Sequence, residues 1–165
     1  MPHKLTCVVT GLLVLSTVAC SGEKPSGSAG SGASHPDPCT LVTAADAEAI
    51  LGTSVEQTKP EGLSLAAACQ YLAPTAENVT LQVHFGLGTD FDNYVKTAEE
   101  SFASKAFPVP GVGEKAMFNA EQLIVKHGDD FFILTIGKAI DDKQRLPIAS
   151  DLAHKVVSRL GAGSR

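Results

Sequence analysis

The chain has 165 residues, of which 44% are hydrophobic and 19% charged, and its formal net charge is -5. These proportions are those of an ordinary globular protein, and the length suits one modest domain rather than two sizeable cores. The lysines and arginines are scattered, which argues against nucleic-acid binding because that function needs a basic patch.

The first segment has the three parts of a secretory signal. Lys4 supplies the positive start, residues 8–20 read VVTGLLVLSTVAC, and Ala19 is a small residue at the end of the apolar run. The apolar run is shorter than the roughly 20 residues that a permanent membrane helix needs. We therefore predict that residues 1–19 are a signal peptide that is cut off.

Cys20 directly follows this small residue. Thr17, Val18, Ala19 and Cys20 resemble the lipobox of bacterial lipoproteins, although Thr17 stands where leucine is more usual. In that motif the cysteine thiol receives a diacylglyceryl group, and two acyl chains give the stable anchoring that one chain does not. The motif predicts a protein anchored through Cys20 to the extracytoplasmic face of the cell membrane. The alternative is a plain secretory signal that happens to contain a cysteine.

Residues 20–35 are rich in serine and glycine and cannot bury enough apolar surface to fold, so we predict a flexible linker. The domain then spans residues 36–161 and is followed by a short tail, 162–165. It contains two cysteines, Cys39 and Cys69. In an exported protein such a pair is most simply interpreted as a disulfide. The alternatives are two free buried thiols or a metal site, for which two cysteines supply only half of a tetrahedral shell.

In the first half of the domain, the sequence predicts one helix and two strands. Residues 43–51 form the helix, because Thr43 and Asp46 fit a capping box and Gly52 suits the left-handed position after a helix. Residues 57–66 have the composition of a surface loop, and residues 69–72 form a short strand.

The clearest strand is predicted at residues 79–85. Its period of two puts one set of side chains on the core face and the other toward solvent or a second layer. The core set is Val79, Leu81, Val83 and Phe85, and the other set is Thr80, Gln82 and His84.

The second half begins with a helix over residues 89–106, capped by Thr89 or Asp90. Its predicted apolar face consists of Phe91, Tyr94, Val95, Ala98 and Phe102. A connection rich in proline and glycine follows at residues 107–113, and then strands at 114–118, 122–126 and 131–136. The run FFILTI in the last strand is continuous enough for a central strand covered on both faces. The final helix starts near Asp141 or at Pro147 and ends at Gly161.

This order of elements lacks the strict alternation of a parallel βαβ fold. It predicts an α+β domain with a curved, mainly antiparallel sheet of about five strands. Two or three helices pack on this sheet, and one disulfide closes the domain.

Several motifs of this chain occur together in one known family. After the lipobox and the Ser/Gly linker come PCTLVT at residues 38–43, a second cysteine followed by an aromatic residue in CQY at 69–71, and VPGVG at 109–113. On these motifs, and over most of residues 38–160, the chain resembles a family of small actinobacterial lipoproteins classed as a domain of unknown function. The resemblance implies an extracytoplasmic α+β domain closed by Cys39 and Cys69. It implies no activity, because the family has no assigned catalytic residues.

The sequence contains neither a nucleophile motif nor a phosphate-binding loop. His84 on the outward side of its strand and His127 at a turn are more simply exposed residues than catalytic or metal-binding ones. Two other histidines, His35 and His154, also remain after processing. The pairs Asp129-Asp130 and Asp141-Asp142 fit a turn and a helix start better than a calcium site. We therefore expect no enzyme, no cofactor and no metal.

These observations favour a non-catalytic binding or interaction module of the cell envelope. Its binding surface is either the loop with Pro110, Gly111 and Val112 or an open face of the sheet, and its partner is a protein, a glycan or a lipid. An alternative is a carrier of an apolar or lipid-like molecule, held in a cavity between the sheet and the helix at residues 89–106. A second alternative is an envelope enzyme that uses His84 and the acidic pairs.

Overall fold

The computed structural model describes residues 35–60 and 66–163 of the chain, all within one compact unit. The predicted signal peptide, the predicted lipidation site Cys20 and nearly all of the predicted linker lie outside these residues. The helices are α1 Pro38–Leu41, α2 Ala44–Leu51, α3 Phe91–Phe102 and α4 Asp142–Gly163. The strands are β1 Glu56–Thr58, β2 Ala67–Leu72, β3 Asn78–His84, β4 Phe107–Pro108, β5 Lys115–Asn119, β6 Gln122–His127 and β7 Asp130–Gly137. None of the described helices is both long and apolar enough to cross a membrane.

The described strands form one antiparallel sheet in the order β1-β2-β3-β7-β6-β5-β4. Two units of consecutive strands, β1 to β3 and β4 to β7, meet at the pair of β3 with β7. The predicted α+β class and the antiparallel sheet are confirmed. Among the described residues the sheet has seven strands rather than about five, and there are four helices rather than two or three.

The additional strands are the two edges of the sheet. β1 pairs Thr58 with Gln70 of β2, and β4 pairs Phe107 with Phe118 of β5. Both edges lie in stretches that the sequence predicts as loops, because two or three residues are too few to show a period of two. An edge that is short, or that carries a proline, offers little backbone for unwanted pairing with another chain.

The larger core lies between the sheet and the helices α2 and α4. Val79, Leu81 and Val83 are fully buried in it, which confirms the predicted core face of β3. Phe85 lies just beyond the end of β3 and is only partly buried. The α4 side chains Leu152, Ala153, Val156 and Leu160 complete this core.

The helix α4 starts earlier than its proline suggests. The Asp141 side chain accepts a hydrogen bond from the Gln144 backbone N–H at 2.9 Å, so the helix begins at Asp142 and Pro147 lies inside it. The helix continues to Gly163, past the predicted end at Gly161.

Arg145 attaches the first turn of α4 to the chain that follows β7. The residue is 6% exposed, and its side chain donates hydrogen bonds to three backbone carbonyls. These belong to Ile136 at 3.1 Å, Lys138 at 3.0 Å and Ile140 at 2.8 Å. A buried guanidinium that satisfies several carbonyls at once fixes the geometry of the connection.

The second face of the sheet carries α3. Phe91, Val95 and Ala98 of this helix form a smaller core with the strand residues Ile124, Phe131 and Ile133. The strand β7 is therefore covered on both faces, as the run FFILTI predicts. The helix ends at Phe102 instead of Ala106, because Ala103 adopts a left-handed φ of 47°. Phe102 is 46% exposed, so its predicted place on the apolar face is wrong.

The two local predictions around α1 and α2 are confirmed. Thr43 and Asp46 form the capping box of α2, and Gly52 follows the helix with a φ of 78°. Cys39 and Cys69 form a disulfide that joins α1 to β2, with 5.1 Å between their Cα atoms. The short helix α1 itself was not predicted, since four residues show no period.

Candidate binding surface

The histidines of the described chain make separate contacts. His35 stacks on Phe85, with 4.2 Å between the ring centroids. His154 Nε2 lies 3.0 Å from the carbonyl oxygen of Gly111, and His127 is half-buried at the end of β6. In the described residues no group of three His, Cys, Asp or Glu side chains is placed to hold a metal ion.

His84 lies on the α3 side of the sheet. Its ring is 4.3 Å from that of Phe131 in a stacked arrangement and 5.7 Å from that of Tyr94. The Nε2 atom is buried and has no hydrogen-bond partner among the described residues. Burial lowers the pKa of the His84 imidazole, so this site favours a neutral ring held by aromatic contacts.

Three of the four paired aspartates have local structural contacts. Asp130 Oδ1 accepts a hydrogen bond from the Gly86 N–H at 2.8 Å. Asp141 caps α4, and Asp142 Oδ1 lies 2.6 Å from Arg145 Nη1. These contacts fit the interpretation of the pairs as turn and helix-start residues.

The loop at residues 109–113 has two buried residues and an exposed tip. Val109 and Val112 are 8% and 2% exposed and belong to the larger core, whereas Pro110 and Gly111 are exposed. Gly113 has a φ of 58°, and a Cβ atom there would lie 2.5 Å from the Lys126 carbonyl oxygen. A partner that met this loop would therefore touch Pro110 and Gly111, while Val112 holds the loop against the core.

Asp46 is the centre of a charged cluster between α2 and α4. Its carboxylate oxygens lie 2.7 Å from Lys155 Nζ and 2.7 Å from Arg159 Nη1, and it is 8% exposed. Burial alone would raise the pKa of Asp46, but hydrogen bonds from Arg159, Lys155 and Thr43 outweigh it and hold the pKa well below its usual range. The groove beside this cluster measures about 210 Å³, which is small for a ligand site.

A larger groove, of about 460 Å³, lies near the start of the described domain. Its lining includes Pro36, Pro38, Ala67 and Phe85. The carrier hypothesis instead places its cavity between the sheet and α3, where Phe91, Val95 and Ala98 pack against the strands.

A row of uncharged polar side chains crosses the α3 side of the sheet. Directly paired residues of neighbouring strands share a face, and Thr80 lies on the same face as His84 because both are even-numbered positions of β3. Thr80 pairs with Gln70 of β2 on one side and with Thr135 of β7 on the other. The register continues the row through Thr58, Gln70, Thr80, Thr135, Gln122 and Asn119.

We name the central part of this row, together with its neighbours on β3, the neutral polar patch. It consists of Gln70, Asn78, Thr80, Gln82, Gln122 and Thr135. All six are half-buried except Thr80, which is 9% exposed. Charged side chains on this face lie beyond the patch: Glu56 on the edge strand, and Lys115 and Lys126 in the row of His84 and Phe131.

Hydrogen bonds within the patch fix some groups and leave others unpaired. Gln70 Nε2 donates to Thr80 Oγ1, and Thr80 Oγ1 donates to Asn78 Oδ1, each over 3.3 Å. The buried Gln122 Oε1 has no partner among the described residues, and neither do the amide atoms of Asn119, which is 1% exposed. Buried polar atoms without a partner are uncommon in folded proteins.

The sequence indicates the polar side of β3 but not the patch. The alternation of Thr80, Gln82 and His84 gives the face, whereas the alignment with Gln70, Thr135 and Gln122 depends on the pairing of strands far apart in the chain. No family model matches this chain, and no match is found among curated proteins or solved structures. The interpretation of the patch therefore depends on the chemistry of its own residues.

Proposed function

We propose that this protein is a lipid-anchored binding module on the extracytoplasmic face of the cell membrane, without catalytic activity, and that the neutral polar patch is its binding surface. The observation that carries this proposal is the alignment of Gln70, Thr80, Thr135 and Gln122 across four neighbouring strands. Antiparallel sheets can leave part of a face to solvent, and charged residues concentrate at such surfaces. The six residues of the patch carry no charge, five of them are half-buried, and Thr80 is buried.

The lipid anchor is supported by the lipobox at Thr17 to Cys20 and by the Ser/Gly-rich residues that follow. The resemblance to a family of small actinobacterial lipoproteins supports the same location. A linker of this composition has a root-mean-square reach on the order of 20 Å, which holds a domain clear of the lipid headgroups.

The absence of catalysis is supported by the contacts of the titratable groups. His84 stacks on Phe131 and lies at an angle to Tyr94, and His154 contacts the backbone of the loop at Gly111. A histidine that acts as a general base is commonly oriented by a second side chain, and among the described residues no side chain makes a hydrogen bond to the His84 or His154 ring.

The patch is tested by photocrosslinking in living cells of the native host. A diazirine side chain replaces Gln82 in the full chain, and the matched control carries the same group at Lys96, which is exposed on α3. We expect an adduct that forms from position 82 and not from position 96. Equal adduct patterns from both positions, or no adduct from position 82, would contradict the assignment of the patch.

The anchor is tested by labelling with palmitate. We expect the full chain and its Cys7→Ala variant to incorporate the label, because Cys7 lies inside the predicted signal peptide. The Cys20→Ala variant should incorporate none. Label in the Cys20→Ala protein would refute the lipid anchor while leaving the binding surface to be judged by crosslinking.

A second candidate function is the carriage of a small apolar molecule. The observation that favours it is the groove of about 460 Å³ near Phe85, since ligand sites commonly measure about 300 to 1,000 Å³. Native mass spectrometry of the full chain from its host would then show an added mass that is lost on denaturation. We expect Phe85→Asp to abolish that added mass and Phe102→Asp, at an exposed site elsewhere, to keep it.

A further inference from the structure

We infer that the neutral polar patch binds an uncharged carbohydrate chain that lies across the strands. This inference rests on the proposed function, because it names the chemical class of the ligand for the same surface. It follows from the hydrogen-bonding groups of the patch, from their neutrality and from their arrangement in a row.

Every side chain of the patch can both donate and accept hydrogen bonds. A threonine hydroxyl has one donor and two acceptor sites, and an asparagine or glutamine carboxamide has two donors and one acceptor oxygen. Sugar hydroxyls have the same double character, so a row of such side chains can pair with a series of hydroxyl groups. Carboxylates, which only accept, and ammonium groups, which only donate, are absent from the six residues.

The other ligand classes need groups that the patch lacks. A lipid surface is bound through apolar area or through clustered lysines and arginines. Nucleic acids require cations for their phosphates. Protein interfaces depend on tryptophan, tyrosine and arginine as energetic centres. The patch contains none of these residue types, which leaves an uncharged ligand rich in hydroxyl groups.

The geometry of the row favours a chain over a single sugar unit. The residues from Thr58 to Gln122 lie on five consecutive strands, β1, β2, β3, β7 and β6. Neighbouring strands are about 4.8 Å apart, so the row is about 19 Å long. Asn78 and Gln82 widen it at β3.

The patch is also partly preorganised. The Thr80 hydroxyl accepts from Gln70 and donates to Asn78, which orients both carboxamides. Gln70 Oε1 and Asn78 Nδ2 then remain as an acceptor and a donor at half-buried positions, whereas the buried Gln122 Oε1 can meet a ligand only after its side chain rotates outward. Side chains that are already oriented lose less conformational entropy when a ligand binds.

The inference is tested by titration calorimetry with the full chain purified in detergent. The probes are linear, uncharged malto-, cello- and manno-oligosaccharides of increasing length, and hyaluronan is the charged comparison. We expect binding of at least one neutral series, with affinity that rises with chain length until the row is covered. The affinity should change little with salt, because no ion pairs form.

The variant Thr80→Val/Thr135→Val removes two hydroxyl groups and keeps the shape and strand preference of the side chains. We expect its affinity to fall about tenfold, because position 135 can no longer bond the ligand and position 80 can no longer orient the carboxamides of Gln70 and Asn78. The matched control Thr97→Val, on the exposed side of α3, should bind like the unchanged chain. Thermal unfolding of each variant verifies the fold.

The outcomes separate this inference from the proposed function. Equal binding by the double variant and the unchanged chain would overturn the carbohydrate site at the patch. If no oligosaccharide binds, the adduct from position 82 decides: sugar in the adduct supports the inference, whereas a protein or lipid adduct overturns it and leaves the binding module standing. No adduct and no oligosaccharide binding would overturn both.

Discussion

The two faces of the sheet are covered to different extents and by different chemistry. Helices α2 and α4 bury one face in the larger core. The disulfide attaches α1 to β2, the Asp46 cluster attaches α2 to α4, and Arg145 attaches α4 to β7. Helix α3 covers the other face with a smaller core, beside the neutral polar patch. The first face thus contains the larger core and most of the buried ionic and covalent links, whereas the second leaves the polar side chains of the proposed binding surface half-buried.

The largest expected effect is on the well-covered face. The disulfide between Cys39 and Cys69 closes a loop with a sequence separation of 30, for which the chain-entropy relation gives about 3 to 4 kcal/mol. We expect Cys39→Ala/Cys69→Ala to lower the free energy of unfolding by about this amount in urea titrations. A reducing agent should lower the free energy of unfolding of the unchanged chain and have no effect on the variant. If the reducing agent leaves the urea midpoint of the unchanged chain where it was, and the variant has the same midpoint, the bond contributes nothing.

The next effect concerns Asp46. Asp46→Ala leaves Arg159 and Lys155 without their carboxylate and removes the capping box, so we expect a loss of about 2 to 4 kcal/mol. Both cations are partly exposed, which keeps the loss toward the lower end of that range. The control Asp151→Ala, at an exposed position on the same groove, should change the unfolding midpoint little. Equal effects of the two substitutions would contradict the role of the cluster.

The same carboxylate predicts a pH dependence. The pKa of Asp46 is lowered in the folded state from an unfolded value of about 3.9, so its contribution is fully present above that value and is lost as the pH falls below it. Acid unfolding curves should therefore show less loss of stability for Asp46→Asn than for the unchanged chain. Parallel curves would show that another group carries the acid sensitivity.

On the α3 face we expect a smaller effect of opposite sign, because substitution of His84 should stabilise the protein. Burial lowers the pKa of His84, so stability is complete above the unfolded pKa of about 6.5 and decreases as the pH falls through it, because the unfolded chain binds the proton more readily. His84→Phe keeps the stacking on Phe131 and removes the unpaired nitrogen, which should raise the unfolding midpoint at pH 5 more than at pH 8. A gain of equal size at both values would exclude a role for protonation.

The smallest effect is expected at the exposed end of α3. Phe102 is 46% exposed, so Phe102→Ser should change the free energy of unfolding by no more than about 0.5 kcal/mol. Val95→Ala, at a buried position of the same helix, should cost more because it removes packed methyl groups. Chemical denaturation of the two variants compares them, and a larger loss for Phe102→Ser would place that ring in the core.

Local signals in the sequence predict the centre of the fold well. The capping box of α2, the alternation in β3 and the apolar run of β7 each lie within one element, so short-range patterns reveal them. The edge strands β1 and β4 are too short for a pattern, and the early end of α3 depends on a left-handed Ala103, a conformation that alanine rarely adopts.

The Asp46 cluster and the neutral polar patch both depend on contacts between distant parts of the chain. The role of Asp46 as a cap is visible in the sequence, whereas its pairing with Lys155 and Arg159 bridges more than a hundred residues. Likewise, the threonines and glutamines of the patch look like ordinary solvent-facing residues until the register aligns them. Val112 differs from the patch residues in the opposite direction. The Pro/Gly-rich loop around it predicts an exposed residue, whereas Val112 is buried in the larger core.

The disulfide also has a mechanical consequence. Under the proposed anchor at Cys20, a pull on the domain would arrive through the backbone just before Cys39, and the covalent bond to Cys69 would pass that load into β2. The load then spreads over the hydrogen bonds that β2 makes with both β1 and β3. The helix α2 lies outside this path, so tension at the membrane would strain the sheet as a whole before it could peel the first helices away.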